Sequence, residues 1–217
     1  GLGGAGPAYL RTVSYMTALS WPFFFFLACM ALPLVKLLYG QQWIACVPLI
    51  RIMCLSSAVY SMFSMARYLL VATGKMREQV GIDAWSGVLK VALVLAAAPF
   101  GLVAVAWAVV LALLLRSALS YRSLRAACNL DWRLLLRTVS KSLLLCACTA
   151  PAPLLASLWL PNDLPHAMPL LALLATGLAS LLCWIAGIFL LKHELAAEFL
   201  LLQRKLAGKL LAARTPP

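Results

Sequence analysis

Four ionisable residues lie inside long apolar stretches of the sequence, where charged side chains are rare: Arg51, Arg67, Asp83 and Lys90. A charge at the centre of a bilayer costs on the order of 3 kcal/mol on insertion scales, so such side chains usually face a protein interior or a water-filled cavity. Lys90 lies near the middle of its apolar stretch, where a long side chain is least able to reach water. We therefore expect a functional site among these residues, with Lys90 as the first candidate.

Asp83, Ser86 and Lys90 are spaced so that they share one face of a helix. An internal ion pair between Asp83 and Lys90 is one alternative to a binding role for the lysine. The two charges would be about 10 Å apart along the helix axis, too far for direct contact without a group between them. A carboxylate from another part of the protein is a second alternative.

Arg51 and Arg67 lie on one predicted helix but cannot meet on it. On an ideal helix they are about 160° out of phase and about 24 Å apart in height. Each arginine either lines a cavity or extends its side chain towards the nearer membrane interface. The sequence leaves both possibilities open.

The composition is that of an integral membrane protein. Of the 217 residues, 65% are hydrophobic and 11% are charged, with a mean hydropathy of +0.98, whereas globular chains average about 25% charged residues. A transmembrane helix needs about 20 apolar residues. Six stretches meet that requirement to within a few residues: Thr12–Val35, Pro48–Ala72, Val80–Ala98, Leu102–Leu115, Ser142–Leu160 and Met168–Leu191.

The net charge of +12 is a signal of topology and not of nucleic-acid binding. The 18 lysines and arginines lie almost wholly on alternate connections between the predicted helices. By the positive-inside rule, these basic connections and both ends of the chain are expected to be cytoplasmic. Anionic phospholipids are the partners that the excess charge predicts.

The predicted fold class is all-α: a polytopic membrane helix bundle with six transmembrane helices and a C-terminal amphipathic helix. Residues 1–116 form the main group of helices, and 117–141 form a basic cytoplasmic connection. Residues 142–191 supply two additional transmembrane helices, the first broken at Pro151 and Pro153, and 192–217 form the cytoplasmic amphipathic tail. The start GLGGAGPAYLRT has neither an initiator methionine nor a signal-peptide layout, so we expect a fragment of a longer polytopic protein.

Motifs for catalysis and for metal or cofactor binding are absent from the sequence. There is no phosphate-binding loop, no H-E-x-x-H and no G-x-S-x-G. Cys146 and Cys148 form a C-x-C without nearby histidine or cysteine, and the two histidines, His166 and His193, lie outside the predicted helices. Only Asp83 among the six acidic residues is expected within the membrane. We expect no cofactor, no metal and no enzymatic activity.

The string ALPLVKLLYGQQWIACVPLIRIM, followed by RYLLVATGKMREQ and then APFGLVAVAWA, resembles the C-terminal half of bacterial polysaccharide flippases. These O-antigen and exopolysaccharide exporters are part of the multidrug/oligosaccharidyl-lipid/polysaccharide superfamily. The likeness extends over residues 9–116, and the later helices resemble the additional C-terminal helices of longer members. It implies a whole protein of about 12 to 14 helices in two lobes around a central cavity, of which this chain is the last part.

The resemblance also implies a function. Such proteins move an undecaprenyl-diphosphate-linked oligosaccharide across the bacterial inner membrane by alternating access, for lipopolysaccharide or exopolysaccharide biosynthesis. Lys90, Arg67 and Arg51, in that order, would attract the diphosphate, and Asp83 would take part in ion or proton coupling. The expected partners are the lipid-linked oligosaccharide and the missing N-terminal lobe.

Three other functions remain open from the sequence. A multidrug or small-solute antiporter of the same superfamily should contain more intramembrane carboxylates. A membrane-embedded glycan polymerase or acyltransferase should have a large outer loop, whereas the longest predicted one is only Pro161 to Pro169. A non-transporting scaffold subunit would not need charges within its apolar stretches.

Overall fold

The computed structural model describes residues 5–128, 131–159 and 167–190. Within these ranges the chain is helical and has no β-strand, which confirms the predicted all-α class. The α-helices are α1 (Ala5–Cys29), α2 (Ala31–Tyr39), α3 (Val47–Ser61), α4 (Ala66–Ala72), α5 (Met76–Ala97), α6 (Leu102–Cys128), α7 (Trp132–Thr149), α8 (Pro151–Trp159) and α9 (Ala167–Leu190).

The predicted polytopic bundle is confirmed by the lengths of these helices. Five helical segments of the described chain are long and apolar enough to cross a membrane, and there are six if α7 and α8 count as one bent span. That span bends by 40° between Thr149 and Pro151, which confirms the predicted break. The predicted amphipathic tail (192–217) and the loop with Asp163 and His166 lie outside the described residues.

The helices pack in an order that differs from their order along the chain. α1 lies between α3 and α7; α6 packs on the far side of α3, and α5 on the far side of α6. α9 packs against α7 and α8. α5 is therefore an edge helix, and most of its surface is exposed.

The largest buried cluster lies where the start of α1, the break after α3, the end of α6 and the start of α7 meet. We call this end of the bundle the basic end, because Lys75, Arg77 and Arg125 lie beside it. The cluster brings together side chains from five helices and from the break after α3: Tyr9, Leu10, Val13, Met62, Phe63, Ala66, Leu70, Ile82, Leu124, Leu135 and Val139.

The sequence predicts one helix from Pro48 to Ala72, but the structure divides this stretch. α3 ends at Ser61 and α4 begins at Ala66. At the break the backbone tightens: Met62 N donates to Val59 O and Ala66 N donates to Phe63 O, in place of bonds four residues back. Neither proline nor glycine occurs at the break. Gln41–Ala72 still counts as one candidate membrane span, so the predicted span is confirmed, although its backbone is not α-helical throughout.

The turn after α4 fixes the direction of α5. Gly74 has φ +77°, a conformation that favours glycine. Its N–H donates to Val71 O and that of Lys75 donates to Leu70 O, the two hydrogen bonds of a Schellman motif. α4 and α5 are thereby joined as adjacent, packed helices.

The segment 117–141, predicted as a cytoplasmic connection, is mostly helical. α6 continues to Cys128, and α7 begins at Trp132. Asp131 caps α7 by accepting a hydrogen bond from the N–H of Arg133 (3.2 Å). The basic residues of this segment therefore lie on the ends of two helices.

Candidate functional site

An aspartate bridges two arginines from different helices at the basic end of the bundle. Asp83 Oδ1 accepts from Arg116 Nη2 (2.6 Å), and Asp83 Oδ2 accepts from Arg67 Nη2 (3.2 Å). The Asp83 and Arg116 side chains are 27% and 29% exposed, whereas that of Arg67 is 62% exposed. The tighter and more buried contact is therefore the one with Arg116, and the group as a whole carries one excess positive charge.

Three helices position these side chains. Arg67 lies in the first turn of α4, directly after the break, and Asp83 lies on α5. Arg116 projects from the middle of α6, with its guanidinium carbon 5.7 Å from the centre of the Tyr60 ring, within the range of a cation–π contact. Because α5 and α6 pack closely along their length, they hold the Asp83–Arg116 pair at a fixed separation.

The break between α3 and α4 is stabilised by side chains of α1. The tightened backbone leaves the carbonyls of Ala58 and Met62 without their helical partners. Trp21 Nε1 donates to Ala58 O (2.9 Å) and Tyr9 Oη donates to Met62 O (3.0 Å). Backbone groups within a bilayer must find partners inside the protein. These aromatic side chains therefore supply hydrogen bonds that the backbone lacks where the helix is interrupted, next to the arginines.

A polar hollow of about 150 Å³ lies between the break and the arginines. Gln79 is 4% exposed, and its Oε1 has no hydrogen-bond partner among the described residues. An amide can both donate and accept, so Gln79 offers unused hydrogen-bonding capacity at this site. The hollow is lined by Tyr60, Phe63, Ser64, Ala66, Arg67, Tyr68, Gln79, Arg116 and Ser120.

The structure brings together two of the four predicted residues, Arg67 and Asp83, and separates the other two. Arg51 is exposed at the opposite end of α3, where its Nε donates to Ala28 O (3.2 Å) near the end of α1. A cation that binds the last carbonyls of a helix stabilises that helix end. Neither Arg51 nor Lys90 lines the hollow beside Arg67.

Lys90 is exposed on α5. The alternative of an internal pair between Asp83 and Lys90 is wrong, because both oxygens of Asp83 bind arginines. No ion pair joins Lys90 to another of the described residues. Its role in substrate binding stays a prediction.

Sequence reasoning missed Arg116 and Gln79. The sequence predicts that the span ends at Leu115, directly before Arg116, yet α6 continues beyond Arg116 for three more turns. Gln79 lies one helical turn before Asp83. Arg116 lies in the middle of α6 and Gln79 in the first turn of α5, so no single pattern in the sequence marks both residues.

Residues 5–48 match the sequence model of a family of polysaccharide biosynthesis proteins. The matched segment comprises α1, α2 and the start of α3. It includes Tyr9 and Trp21, whereas Arg67, Asp83 and Arg116 lie beyond it. Comparisons with curated proteins and with solved structures gave no significant match. The match and the apolar helices together fit a membrane protein of polysaccharide biosynthesis, and a polysaccharide-related transporter in general terms.

Proposed function

We propose that this chain takes part in moving an undecaprenyl-diphosphate-linked oligosaccharide across the bacterial inner membrane by alternating access, without altering it chemically. The observation that carries the proposal is the Asp83-bridged arginine pair, which lies in a polar hollow beside a broken transmembrane helix. Discontinuous helices form the substrate sites of many transporters. The match of residues 5–48 to polysaccharide biosynthesis proteins supports a glycan as the transported group.

The charges of the site suit a diphosphate. Guanidinium groups bind phosphate oxygens in a planar, bidentate geometry. Arg67 is the more exposed of the two arginines and has the longer contact with Asp83, so it is the one that can turn from the carboxylate to a phosphate. In this mechanism Arg116 keeps Asp83 in place, and Asp83 holds Arg67 at the site until the ligand arrives. Ion coupling through Asp83 would require that one of these contacts open.

The size of the hollow limits what it holds. Its volume of about 150 Å³ equals that of about five water molecules in the liquid, enough for a phosphate or a single sugar ring. Gln79 and Ser120 line it and offer hydrogen bonds to sugar hydroxyl groups. The polyprenyl chain would remain in the bilayer, and the rest of the glycan would lie outside the hollow.

The position of the site along the bundle suits loading from the cytoplasm. If the basic end is cytoplasmic, as the positive-inside rule requires, Arg67 lies about 8 Å from the cytoplasmic end of α4. Lys90 is about 10 Å further across the membrane along α5. In the proposed pathway the diphosphate meets Arg67 first and Lys90 second.

Binding of undecaprenyl diphosphate to the purified protein in lipid nanodiscs tests the proposal. The proposal requires saturable binding of undecaprenyl diphosphate and no comparable binding of uncharged undecaprenol. Loss of one charge-assisted hydrogen bond in Arg67→Gln should weaken binding about tenfold or more. Arg67→Lys should retain part of the affinity, and the exposed Arg77→Gln serves as the matched control. Equal binding of both lipids, or no effect of Arg67→Gln, would refute the proposal.

A second measurement separates transport from chemistry. Cells that express the full-length protein with Arg67→Gln should lose surface glycan while lipid-linked glycan accumulates at normal protein levels. Mass spectrometry of the lipid-linked glycan should find the same molecule before and after incubation with the wild-type protein. A change in its mass would show an enzyme, and transport of small cationic solutes instead of the glycolipid would favour an antiporter.

A further inference from the structure

The ends of α6 and α7 form a helical hairpin that is too long for the hydrocarbon core. α6 has 27 residues and is therefore about 40 Å long, about 10 Å more than the core of a typical bilayer. Its apolar run ends at Leu115, and its last turns carry exposed Arg122 and Arg125. These turns therefore extend into the headgroup layer.

Buried side chains link the ends of the two helices. Leu124 of α6 is fully buried, and it belongs to the same buried cluster as Leu135 and Val139 of α7. The rings of Tyr121 and Trp132 make an edge-to-face contact at 5.1 Å, and the cap at Asp131 fixes the start of α7. Trp132 is still 42% exposed, as expected of an aromatic residue at a membrane interface. The Tyr121–Trp132 contact thus joins the two helix ends that carry the basic residues.

The exposed surface of the hairpin is strongly basic. Arg133, Arg137 and Lys141 recur at every fourth residue of α7, opposite its buried face. None of the five basic residues of the hairpin forms an ion pair with another described residue. We call this the basic surface; it consists of Arg122, Arg125, Arg133, Arg137 and Lys141.

We infer that the basic surface binds the headgroups of anionic phospholipids. It combines fixed positive charge, headgroup depth and a neighbouring tryptophan, and clusters of four to eight basic residues beside a membrane-spanning helix attract anionic lipid. The inference is independent of the proposed transport function, because the basic surface and the hollow have no residue in common. The hairpin thereby anchors one end of α6, the helix that carries Arg116.

Lipid binding by the purified protein in an uncharged detergent tests this inference. A fluorescent phosphatidylglycerol should bind more tightly than the matched phosphatidylcholine, and high salt should weaken that binding. Near a membrane surface each cation contributes roughly fivefold in affinity. The Arg133→Gln, Arg137→Gln double variant should therefore bind phosphatidylglycerol on the order of 20-fold more weakly. The control is the Lys75→Gln, Arg77→Gln double variant, which removes equal formal charge at the α4–α5 corner, where Lys75 is already paired with Glu78, and should weaken binding much less.

A charge-preserving variant separates the loss of positive charge from an effect of the substitutions on folding. Arg133→Lys combined with Arg137→Lys keeps both charges and should keep most of the affinity for phosphatidylglycerol. Equal loss of binding in the test and control variants would show a general effect of net charge and would overturn the inference. Equal binding of phosphatidylglycerol and phosphatidylcholine, or binding insensitive to salt, would overturn it as well.

Discussion

The two contacts of Asp83 should differ in strength, and a pair of double-mutant cycles can measure the difference. Asp83 and Arg116 are both less than one-third exposed and 2.6 Å apart, whereas Arg67 is 62% exposed and 3.2 Å away. A hydrogen bond between charged, largely buried groups contributes about 2 kcal/mol to the free energy of unfolding. A solvent-exposed ion pair contributes about 0.5 kcal/mol. We therefore expect a coupling energy between Asp83 and Arg116 about four times that between Asp83 and Arg67.

The measurement is the equilibrium free energy of unfolding in mixed micelles of a mild detergent and sodium dodecyl sulfate. One cycle combines Asp83→Asn with Arg116→Gln, and the other combines Asp83→Asn with Arg67→Gln. Each cycle isolates the pairwise coupling from the cost of the single changes. Glu78→Gln removes the longer pair with Lys75 (3.5 Å), in which the Glu78 side chain is 47% exposed, and should cost no more than about 0.5 kcal/mol.

Two results would refute this account of the site. Equal coupling energies in the two cycles would mean that Arg67 is as firmly held as Arg116, and it could not then be the arginine that turns to a phosphate. Coupling near zero in both would mean that Asp83 does not organise the arginines at all. Either result leaves the lipid-binding inference untouched, since the basic surface contains neither Asp83 nor its partners.

Further predictions concern packing, the break and Lys90. Gly187→Ala should lower the free energy of unfolding by about 1–3 kcal/mol, because the added Cβ would lie 2.7 Å from Leu145 Cδ1. The control is Gly177→Ala, whose Cβ would lie 3.7 Å from Phe26 Cζ. It should leave the free energy of unfolding nearly unchanged in the same micelle assay. Tyr9→Phe should lower the free energy of unfolding by about 1 kcal/mol, because it removes the hydroxyl that donates to Met62 O. Slower hydrogen exchange around Met62 in the variant would contradict this reason. Lys90→Leu should leave the free energy of unfolding within about 0.5 kcal/mol of the wild-type value. Surface glycan export by the full-length protein should fall in this variant. Unchanged export would show that Lys90 is not part of the transport pathway.

The positions of the membrane helices could be predicted from the sequence because they depend on composition and length. The two prolines Pro151 and Pro153 likewise marked the bend in the α7–α8 span. The break at Met62 could not be predicted, since its stabilising donors, Tyr9 and Trp21, come from another helix. No local pattern contains that information.

The site was half predictable for a related reason. Arg67 and Asp83 stood out as charges within apolar runs, and both lie at the site. Lys90 ranked first by depth alone, but depth does not say which face of α5 is covered. Arg116 did not stand out because it directly follows the apolar run, although α6 continues beyond it to Cys128. Helix packing, and not helix position, decides which charges meet.

The seven-residue helix α4 lies between the break and the Schellman corner, so interruptions of the α-helical hydrogen bonding bound it on both sides. Tyr9 and Trp21 of α1 hydrogen-bond to the backbone at the break. A tilt of α1 against α3 would therefore pull on the first turn of α4 and change the reach of Arg67 towards Asp83. By this linkage the segment shared with polysaccharide biosynthesis proteins would set the geometry of an arginine that it does not contain.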